Sequence, residues 1–359
     1  MRILVTGGCG FIGNHVVRNG LLIPGVESII NLDALTYSGH AENLNDIDDE
    51  RYTFVYGSIN DFDLVSKILN DHQIDVILHL AAESHVDRSI NSVQPFIETN
   101  IDGTRVLLES VLASKQKGHI VHFVNVSTDE VYGSLGPDDE PFTEDTPLNP
   151  KNPYAASKAA ADMLVQSFVN THELSAITTR CSNNYGPRQF PEKLIPLMTL
   201  NALNDKMLPI YGDGKQIRDW IHVDDHANGI LCAMLALFVG KIETGEVFNF
   251  GANNEQQNIT IVRSILSQTN ANESLMEHVN DRPGHDRRYA MGYEKASRVL
   301  GWKPEIDWAT GLSETIEWYR INTAWTDSIT SGQYKEYIRT QYGHLCLLYT
   351  SPSPRDLLG

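Results

Sequence analysis

A tyrosine and a lysine in the middle of the chain are spaced so that they could act on one proton. Tyr154 and Lys158 lie in an Ala-rich stretch after Pro153, a composition that predicts a helix. Residues four apart on a helix share a face, and an ammonium near a phenol lowers the pKa of the phenol. The pair could therefore be a base that removes a hydroxyl proton. The alternative is a surface tyrosine and lysine on an ordinary helix.

Three adjacent polar residues follow an apolar run at 120–126. Thr128, Asp129 and Glu130 come where a strand is predicted to end, and doubly wound folds bind ligands at the carboxyl ends of their strands. Two neighbouring carboxyl groups do not ionise together easily, so one can stay protonated as an acid while the other acts as a base. The sequence leaves open which is which, and a turn or helix cap is the alternative interpretation.

A glycine-rich turn directly follows the first predicted strand. Gly7, Gly10 and Gly13 allow a tight turn that opens a helix, and the helix N-terminus can bind a pyrophosphate. Asp33 follows Gly13 by 20 residues, where a carboxylate binds the ribose hydroxyls of NAD and repels the extra phosphate of NADP. We therefore predict NAD binding rather than a flexible turn with a surface aspartate.

The elements that must hold these residues alternate along the first 130 positions. Strands are predicted at 3–6, 28–32, 53–56, 76–80 and 120–126, and helices at 11–22, 61–71 and 97–115. Such alternation predicts an α/β fold with a doubly wound parallel sheet (Rossmann-type). We expect an NAD-binding domain at 1–180, with later strands from about 212–250, and a smaller C-terminal substrate-binding domain at 181–343. The atypical tail 344–359 is given no function.

Composition narrows the classes of function. The chain has 359 residues, of which 41% are hydrophobic, as in globular proteins. Its net charge of −18 argues against nucleic-acid binding. Four scattered cysteines form no metal-binding spacing and indicate free thiols. The longest apolar run, 230–239, is about half of the roughly 20 residues that a membrane helix needs. We expect a cytoplasmic protein with no membrane partner and no bound metal.

Several sequence blocks resemble one family. The chain resembles the extended short-chain dehydrogenase/reductases and, among them, the dTDP-glucose 4,6-dehydratases. The shared blocks are 6–13, 31–39, 80–90, 127–133, 152–162, 182–196, 211–225 and 281–290. This resemblance implies that dTDP-glucose is dehydrated to dTDP-4-keto-6-deoxyglucose with NAD as cofactor. C4 is oxidised transiently, water is lost across C5–C6, and the hydride returns to C6.

The resemblance also implies residue roles. Tyr154, helped by Lys158 and Thr128, takes the 4-hydroxyl proton, Glu130 takes the C5 proton, and Asp129 protonates the departing 6-hydroxyl. The cofactor would be held by Gly7, Gly10, Phe11, Ile12, Gly13, Asp33, Ser58, Ile59, Ala81, Thr99, Tyr154, Lys158 and Asn184. The substrate would be held by Ser84, Asn183, Lys193, Leu194, Pro209, Tyr211, Arg218, Asn254, Arg282 and His285. The helix at Tyr154 and the helix 97–115 would pair across a homodimer.

One position departs from the family pattern, and other functions stay open. Ser58 stands where the family usually has an aspartate facing the adenine amino group, so a weaker affinity for NAD is expected. The nucleotide-sugar 4-epimerases and decarboxylases share the glycine turn and the Tyr–Lys pair but do not need Asp129 and Glu130. Dehydratases of GDP- and CDP-sugars share the whole chemistry. A non-catalytic NAD-binding protein on the same fold is the remaining alternative.

Overall fold

The computed structural model describes residues 1–281 and 285–330, which build twelve strands. In chain order the strands are β1 (Arg2–Thr6), β2 (Ser28–Asp33), β3 (Tyr52–Tyr56), β4 (Val76–His79), β5 (His122–Thr128), β6 (Ala176–Cys181), β7 (Asn183–Tyr185), β8 (Leu208–Tyr211), β9 (Ile217–His222), β10 (Val247–Phe250), β11 (Glu255–Gln257) and β12 (Met276–Val279). Arg282 and the tail 344–359 lie outside the described residues.

In the same described residues, twelve α-helices connect and cover these strands. They are α1 (Phe11–Leu21), α2 (Phe62–Asp71), α3 (Val86–Asn91), α4 (Gln94–Phe96), α5 (Thr104–Gln116), α6 (Pro153–His172), α7 (Leu194–Leu203), α8 (Val223–Phe238), α9 (Asn258–Thr269), α10 (Glu294–Leu300), α11 (Trp308–Ile321) and α12 (Thr323–Ile329). A π-helix, Ile97–Gly103, leads into α5, and a 3₁₀ helix, Asp129–Tyr132, follows β5 directly.

The main sheet has seven parallel strands in the order β10-β6-β5-β4-β1-β2-β3. Successive residues of a strand point to opposite faces, and both faces are buried here. In β1, Ile3 and Val5 pack in the core beneath α1 and α8, whereas Leu4 packs in the core beneath α2, α5 and α6. This confirms the predicted doubly wound parallel sheet.

The predicted elements of the first half lie where expected, with shifted ends. The fifth strand begins at His122 rather than 120 and runs on to Thr128, so Thr128 is its last residue and Asp129 begins the 3₁₀ helix. The helix predicted at 97–115 is divided into the π-helix and α5. The apolar run 230–239 lies mostly in α8, which is buried against the main sheet.

The second half of the chain adds two small sheets and a third hydrophobic core. One sheet has the order β11-β9-β7 and the other pairs β12 with β8. Of the later strands expected from 212–250, Val247–Phe250 joins the main sheet beside β6, whereas Ile217–His222 does not and pairs with β7 and β11 instead. The third core lies among α7, α9 and α11. In the described parts of the chain, no helix is long and apolar enough to span a membrane.

Candidate active site

The glycine turn between β1 and α1 leaves space for a ligand that the side chains of other residues would occupy. Gly7 has φ +72°, a conformation that favours glycine, and a Cβ on it would lie 2.6 Å from the backbone nitrogen of Ala81. A Cβ on Gly13 would lie 2.1 Å from the carbonyl oxygen of Gly7. Gly10 caps α1 without a side-chain hydrogen bond, so the first-turn N–H groups remain available to an anion in the adjoining cavity. These features fit the pyrophosphate of a dinucleotide.

Asp33 at the end of β2 is tied to the same turn. Its carboxylate accepts hydrogen bonds from the backbone N–H of Cys9, at 2.9 Å, and of Leu35, at 2.8 Å. Burial raises the pKa of Asp33, and these two backbone donors oppose that rise. A cavity beside it brings together the residues predicted to bind the adenosine half of the cofactor. Its lining includes Gly7, Gly10, Asp33, Ser58, Ile59, Ala81 and Thr99.

A second cavity brings the predicted catalytic residues to the glycine turn. Its lining includes Gly7, Gly10, Phe11, Ile12, Gly13, Ser84, Thr128, Asp129, Glu130, Tyr154, Lys158, Asn183, Asn184 and Lys193. The sheet explains this convergence, because β1 and β5 end at the same edge and α6 packs against β5 and β6. Residues more than 120 positions apart in the sequence therefore line the same cavity.

The acid pair is held by short-range hydrogen bonds. The hydroxyl of Thr128 donates to Oδ1 of Asp129, at 3.2 Å, and accepts from the backbone N–H of Glu130, at 3.3 Å. The amide of Asn152, the N-cap of α6, donates to Oε2 of Glu130 at 2.9 Å. The cap of the catalytic helix therefore also orients this carboxylate, a contact that the sequence did not indicate.

Asp129 has the environment of an acid rather than a base. It is 2% exposed, and among the described residues its Oδ2 has no hydrogen-bond partner. Burial, and then the charge of Glu130, raise the pKa of Asp129 well above its usual value. The protonated form of Asp129 is therefore favoured, and it lies next to a second carboxyl group that is less buried.

Tyr154 and Lys158 share a face of α6, but one expectation about them is wrong. The ammonium of Lys158 donates to the carbonyl oxygen of Val126 at 2.7 Å, and burial lowers the Lys158 pKa. Burial, and then the charge of Glu130, raise the pKa of Tyr154 well above its usual value. The predicted lowering of this pKa by Lys158 is not found, because the loss of solvent dominates in the protein alone.

A third cavity continues from the catalytic one and holds most of the predicted substrate residues. Its lining includes Glu130, Asn183, Lys193, Leu194, Pro209, Tyr211, Arg218 and His285. The ammonium of Lys193 donates to the carbonyl oxygen of Ser84 at 3.0 Å. Arg218 donates to the carbonyl oxygen of Asp286 at 2.9 Å, and its guanidinium lies 4.4 Å from the centre of the Tyr289 ring. Two cations thus face one cleft in an acidic protein.

Asn254 is not brought into these three cavities. Its side-chain amide donates to the carbonyl oxygen of Trp220 at 3.2 Å, and its backbone N–H donates to Asp219 at 2.7 Å.

Glu192 lies in the site although it was not predicted to. It lines both the catalytic and the substrate cavity, is 7% exposed, and its carboxylate lies 3.4 Å from Nε of Arg88. The sequence analysis did not identify Glu192 as a site residue, although it lies in the block 182–196 that resembles the family. Its position next to Lys193 could have indicated it.

Comparison with known proteins identifies close relatives of this architecture. The family model for GDP-mannose 4,6-dehydratase matches residues 4–315. A dTDP-glucose 4,6-dehydratase of Escherichia coli K12 is 47% identical, with 95% of this chain and 99% of that protein covered. A dTDP-glucose 4,6-dehydratase of Streptomyces venezuelae, crystallised with NAD bound, is 44% identical with a TM-score of 0.86, covering 92% of this chain and 100% of that one. A UDP-glucose 4-epimerase of Thermotoga maritima is 32% identical, with a TM-score of 0.80, covering 89% and 99%.

Proposed function

This chain belongs to the GDP-mannose 4,6-dehydratase family, and we propose that it is an NAD-dependent hydro-lyase that converts dTDP-glucose to dTDP-4-keto-6-deoxyglucose. The observation that carries this proposal is the buried Asp129 beside Glu130, in the same cavity as Tyr154, Lys158 and the glycine turn. Removal of water from C5–C6 needs one acid and one base, and this pair provides both.

Each of the five residues predicted to be catalytic has a task in this reaction. Tyr154, with Lys158 and Thr128 beside it, takes the proton of the 4-hydroxyl group. NAD, which the glycine turn and Asp33 would hold, would supply the acceptor for the C4 hydride and the donor that gives it back to C6. Glu130 takes the C5 proton, which the new 4-keto group has made acidic, and a proton returns to C5 when the hydride is added at C6. Asp129 gives its proton to the 6-hydroxyl group, which leaves as water.

The cations of the substrate cavity suit a nucleoside diphosphate. Lys193 and Arg218 lie in a cleft next to Glu130, where a diphosphate would bring two negative charges. Pro209, Tyr211 and His285 line the same cleft and offer apolar and aromatic surface to a base. This half of the site therefore supports a nucleotide sugar as substrate, and the identity of the base rests on the relatives.

The first experiment separates dehydration from epimerisation. Purified protein is incubated with dTDP-glucose and NAD, with UDP-, GDP- and CDP-sugars in parallel, and product masses are recorded. We expect the loss of one water from the dTDP-sugar without net formation of NADH. An unchanged mass with inverted C4 would assign a 4-epimerase, and no conversion of any sugar would leave a non-catalytic NAD-binding protein.

Ser58 gives a prediction about cofactor affinity. Its side chain is exposed at the edge of the adenosine cavity, and its hydroxyl accepts from the backbone N–H of Asn60 at 3.1 Å. Ser58→Asp adds a carboxylate that can accept from the adenine amino group, so we expect the Kd for NAD to fall about 3- to 10-fold. Titration of cofactor-free protein measures this. Ser274→Asp, at an exposed serine in another part of the fold, is the matched control, and equal Kd values for both variants would contradict the role of Ser58.

We also infer a homodimer, supported by apolar side chains on the helices of one side. Ile90, Val93, Ile97 and Met163 are exposed by 38% to 61%, and α3, α4, α5 and the π-helix all contact α6, which carries Met163. Light scattering at micromolar concentration should give twice the chain mass, and Met163→Asp should shift the population towards one chain. Leu22→Asp changes a more exposed apolar residue outside this helix group, 80% exposed against 61% for Met163, and should leave the dimer intact. A monomeric wild-type protein would contradict the inference.

The expected cytoplasmic location is kept as part of this proposal. Cys9, Cys181 and Cys232 are free thiols in the described chain, as in proteins of a reducing compartment. Cys346 lies outside the described residues.

A further inference from the structure

A buried charged network joins the two elements that carry the catalytic residues. Arg180 in β6 donates from Nε to Oδ2 of Asp162 in α6, at 2.9 Å. The same guanidinium donates from Nη1 to the hydroxyl oxygen of Tyr132, at 2.8 Å. Tyr132 is the last residue of the 3₁₀ helix that contains Asp129 and Glu130. One arginine thus links this short helix to α6.

The network is completely enclosed by protein. Arg180, Asp162 and Tyr132 are 6%, 5% and 3% exposed, and none of them lines the three cavities described above. Further hydrogen bonds complete it: Asn125 donates to Oδ1 of Asp162 at 2.9 Å, and the Tyr132 hydroxyl donates to Oδ1 of Asn249 at 2.8 Å. The cost of removing an ion pair from water is offset only when its geometry is good and further hydrogen bonds satisfy the charged groups, and both conditions are met here. None of the three side chains forms a hydrogen bond with Thr128, Asp129, Glu130, Tyr154 or Lys158, and the only electrostatic effect on these is that the charge of Asp162 opposes the lowering of the Lys158 pKa by burial. The network therefore acts on the reaction mainly by holding elements in place.

The network connects positions close to the predicted catalytic residues, on α6 and on the 3₁₀ helix. Asp162 lies one helical turn beyond Lys158 on α6, and Tyr132 lies two residues beyond Glu130. The planar guanidinium fixes the directions of its two donors, and its Cζ lies 4.8 Å from the centre of the Tyr132 ring. The separation of α6 from the 3₁₀ helix is therefore set by a rigid group.

We propose that Arg180, Asp162 and Tyr132 are positioning residues for the elimination step, which hold the Asp129–Glu130 pair in register with Tyr154 and Lys158. This rests on the proposed dehydratase function. Oxidation at C4 uses Tyr154, whereas loss of water also needs the acid pair in place around the same sugar. A displacement of the 3₁₀ helix should therefore slow elimination more than oxidation.

Tyr132→Phe tests this with the smallest change. The variant loses one hydroxyl but keeps the ring stacked on Phe142, at 5.0 Å between ring centres, and under Arg180. We expect kcat for dTDP-glucose to fall about 10- to 100-fold, as for a small misplacement of reacting groups. KM should stay within about twofold, because the network does not line the substrate cavity. Reduced NAD should accumulate on the enzyme during a single turnover, seen by its near-ultraviolet absorbance.

Two further variants complete the test. Arg180→Lys keeps the charge but cannot reach both partners with a planar fork, so the same accumulation is expected. Thr315→Val deletes a fully buried hydroxyl that donates to the carbonyl oxygen of Gly311 in α11, and serves as the matched loss of a buried hydrogen bond. This variant should at most lower Tm, and reduced NAD should not accumulate on it. If Tyr132→Phe behaves like Thr315→Val, the positioning role is wrong. If wild-type protein removes no water from dTDP-glucose, the dehydratase function itself fails.

Discussion

Tyr154→Phe is expected to lower kcat for dTDP-glucose by about 100- to 10,000-fold, the usual contribution of a general base. The phenol is the group proposed to remove the 4-hydroxyl proton, and without it the first oxidation cannot proceed. The ring itself should stay in place, since it packs against Phe96 with 6.3 Å between ring centres. Product mass and absorbance of reduced NAD measure the effect, and both signals should be nearly absent.

The control for this prediction separates chemistry from cofactor binding. The Kd for NAD should remain within about twofold of wild type, since the hydroxyl is one small part of a large binding surface. Tyr293→Phe changes a half-buried tyrosine that packs on Trp302, outside the described cavities, and should retain full activity. If kcat of Tyr154→Phe stays within tenfold of the wild-type value, another group must remove the proton of the 4-hydroxyl group.

Glu130→Gln is expected to separate the steps of the reaction. Glutamine has the same shape and can still accept the hydrogen bond from Asn152, but it cannot take the C5 proton. Oxidation at C4 should continue while product formation falls by about 100- to 10,000-fold. Reduced NAD should therefore build up to nearly one equivalent per active site. Stopped-flow absorbance and the mass of quenched intermediates measure this.

An exposed carboxylate provides the comparison for Glu130. Glu140→Gln removes the same charge on the loop that follows the 3₁₀ helix, and its turnover should equal that of wild type. Normal turnover by Glu130→Gln would show that another group removes the C5 proton. Loss of both oxidation and elimination would instead place Glu130 in the first step.

The sequence predicted the main sheet well because its strands are buried on both faces. Runs such as 3–6 and 76–80 carry apolar side chains at consecutive positions, and that pattern is visible without a structure. The glycine turn was equally visible, since Gly13 lies too close to the carbonyl oxygen of Gly7 for a side chain, and Gly7 has a positive φ that favours glycine. Local requirements of this kind leave a direct trace in the order of residues.

Contacts between distant residues left no such trace. The pairing of β9 with β7 and β11, rather than with the main sheet, depends on packing between parts of the chain that the strand pattern does not specify. The spacing of Tyr154 and Lys158 predicted a lowered phenol pKa, but the direction is set by burial, which spacing does not reveal. The link from Arg180 to Tyr132 likewise joins residues 48 positions apart.

The π-helix at Ile97–Gly103 has a consequence for insertions and deletions. Its Asn100 donates to the carbonyl oxygen of Glu83 and to the hydroxyl of Ser157, and its Thr99 lines the adenosine cavity. A π-turn holds one residue more than an α-turn. Removing one residue here would restore ordinary helical winding and change the directions in which the side chains of this segment project relative to α5. The sheet would be untouched, yet Thr99 and Asn100 could no longer both keep their present contacts, so the number of residues in this helix bears on the adenosine cavity.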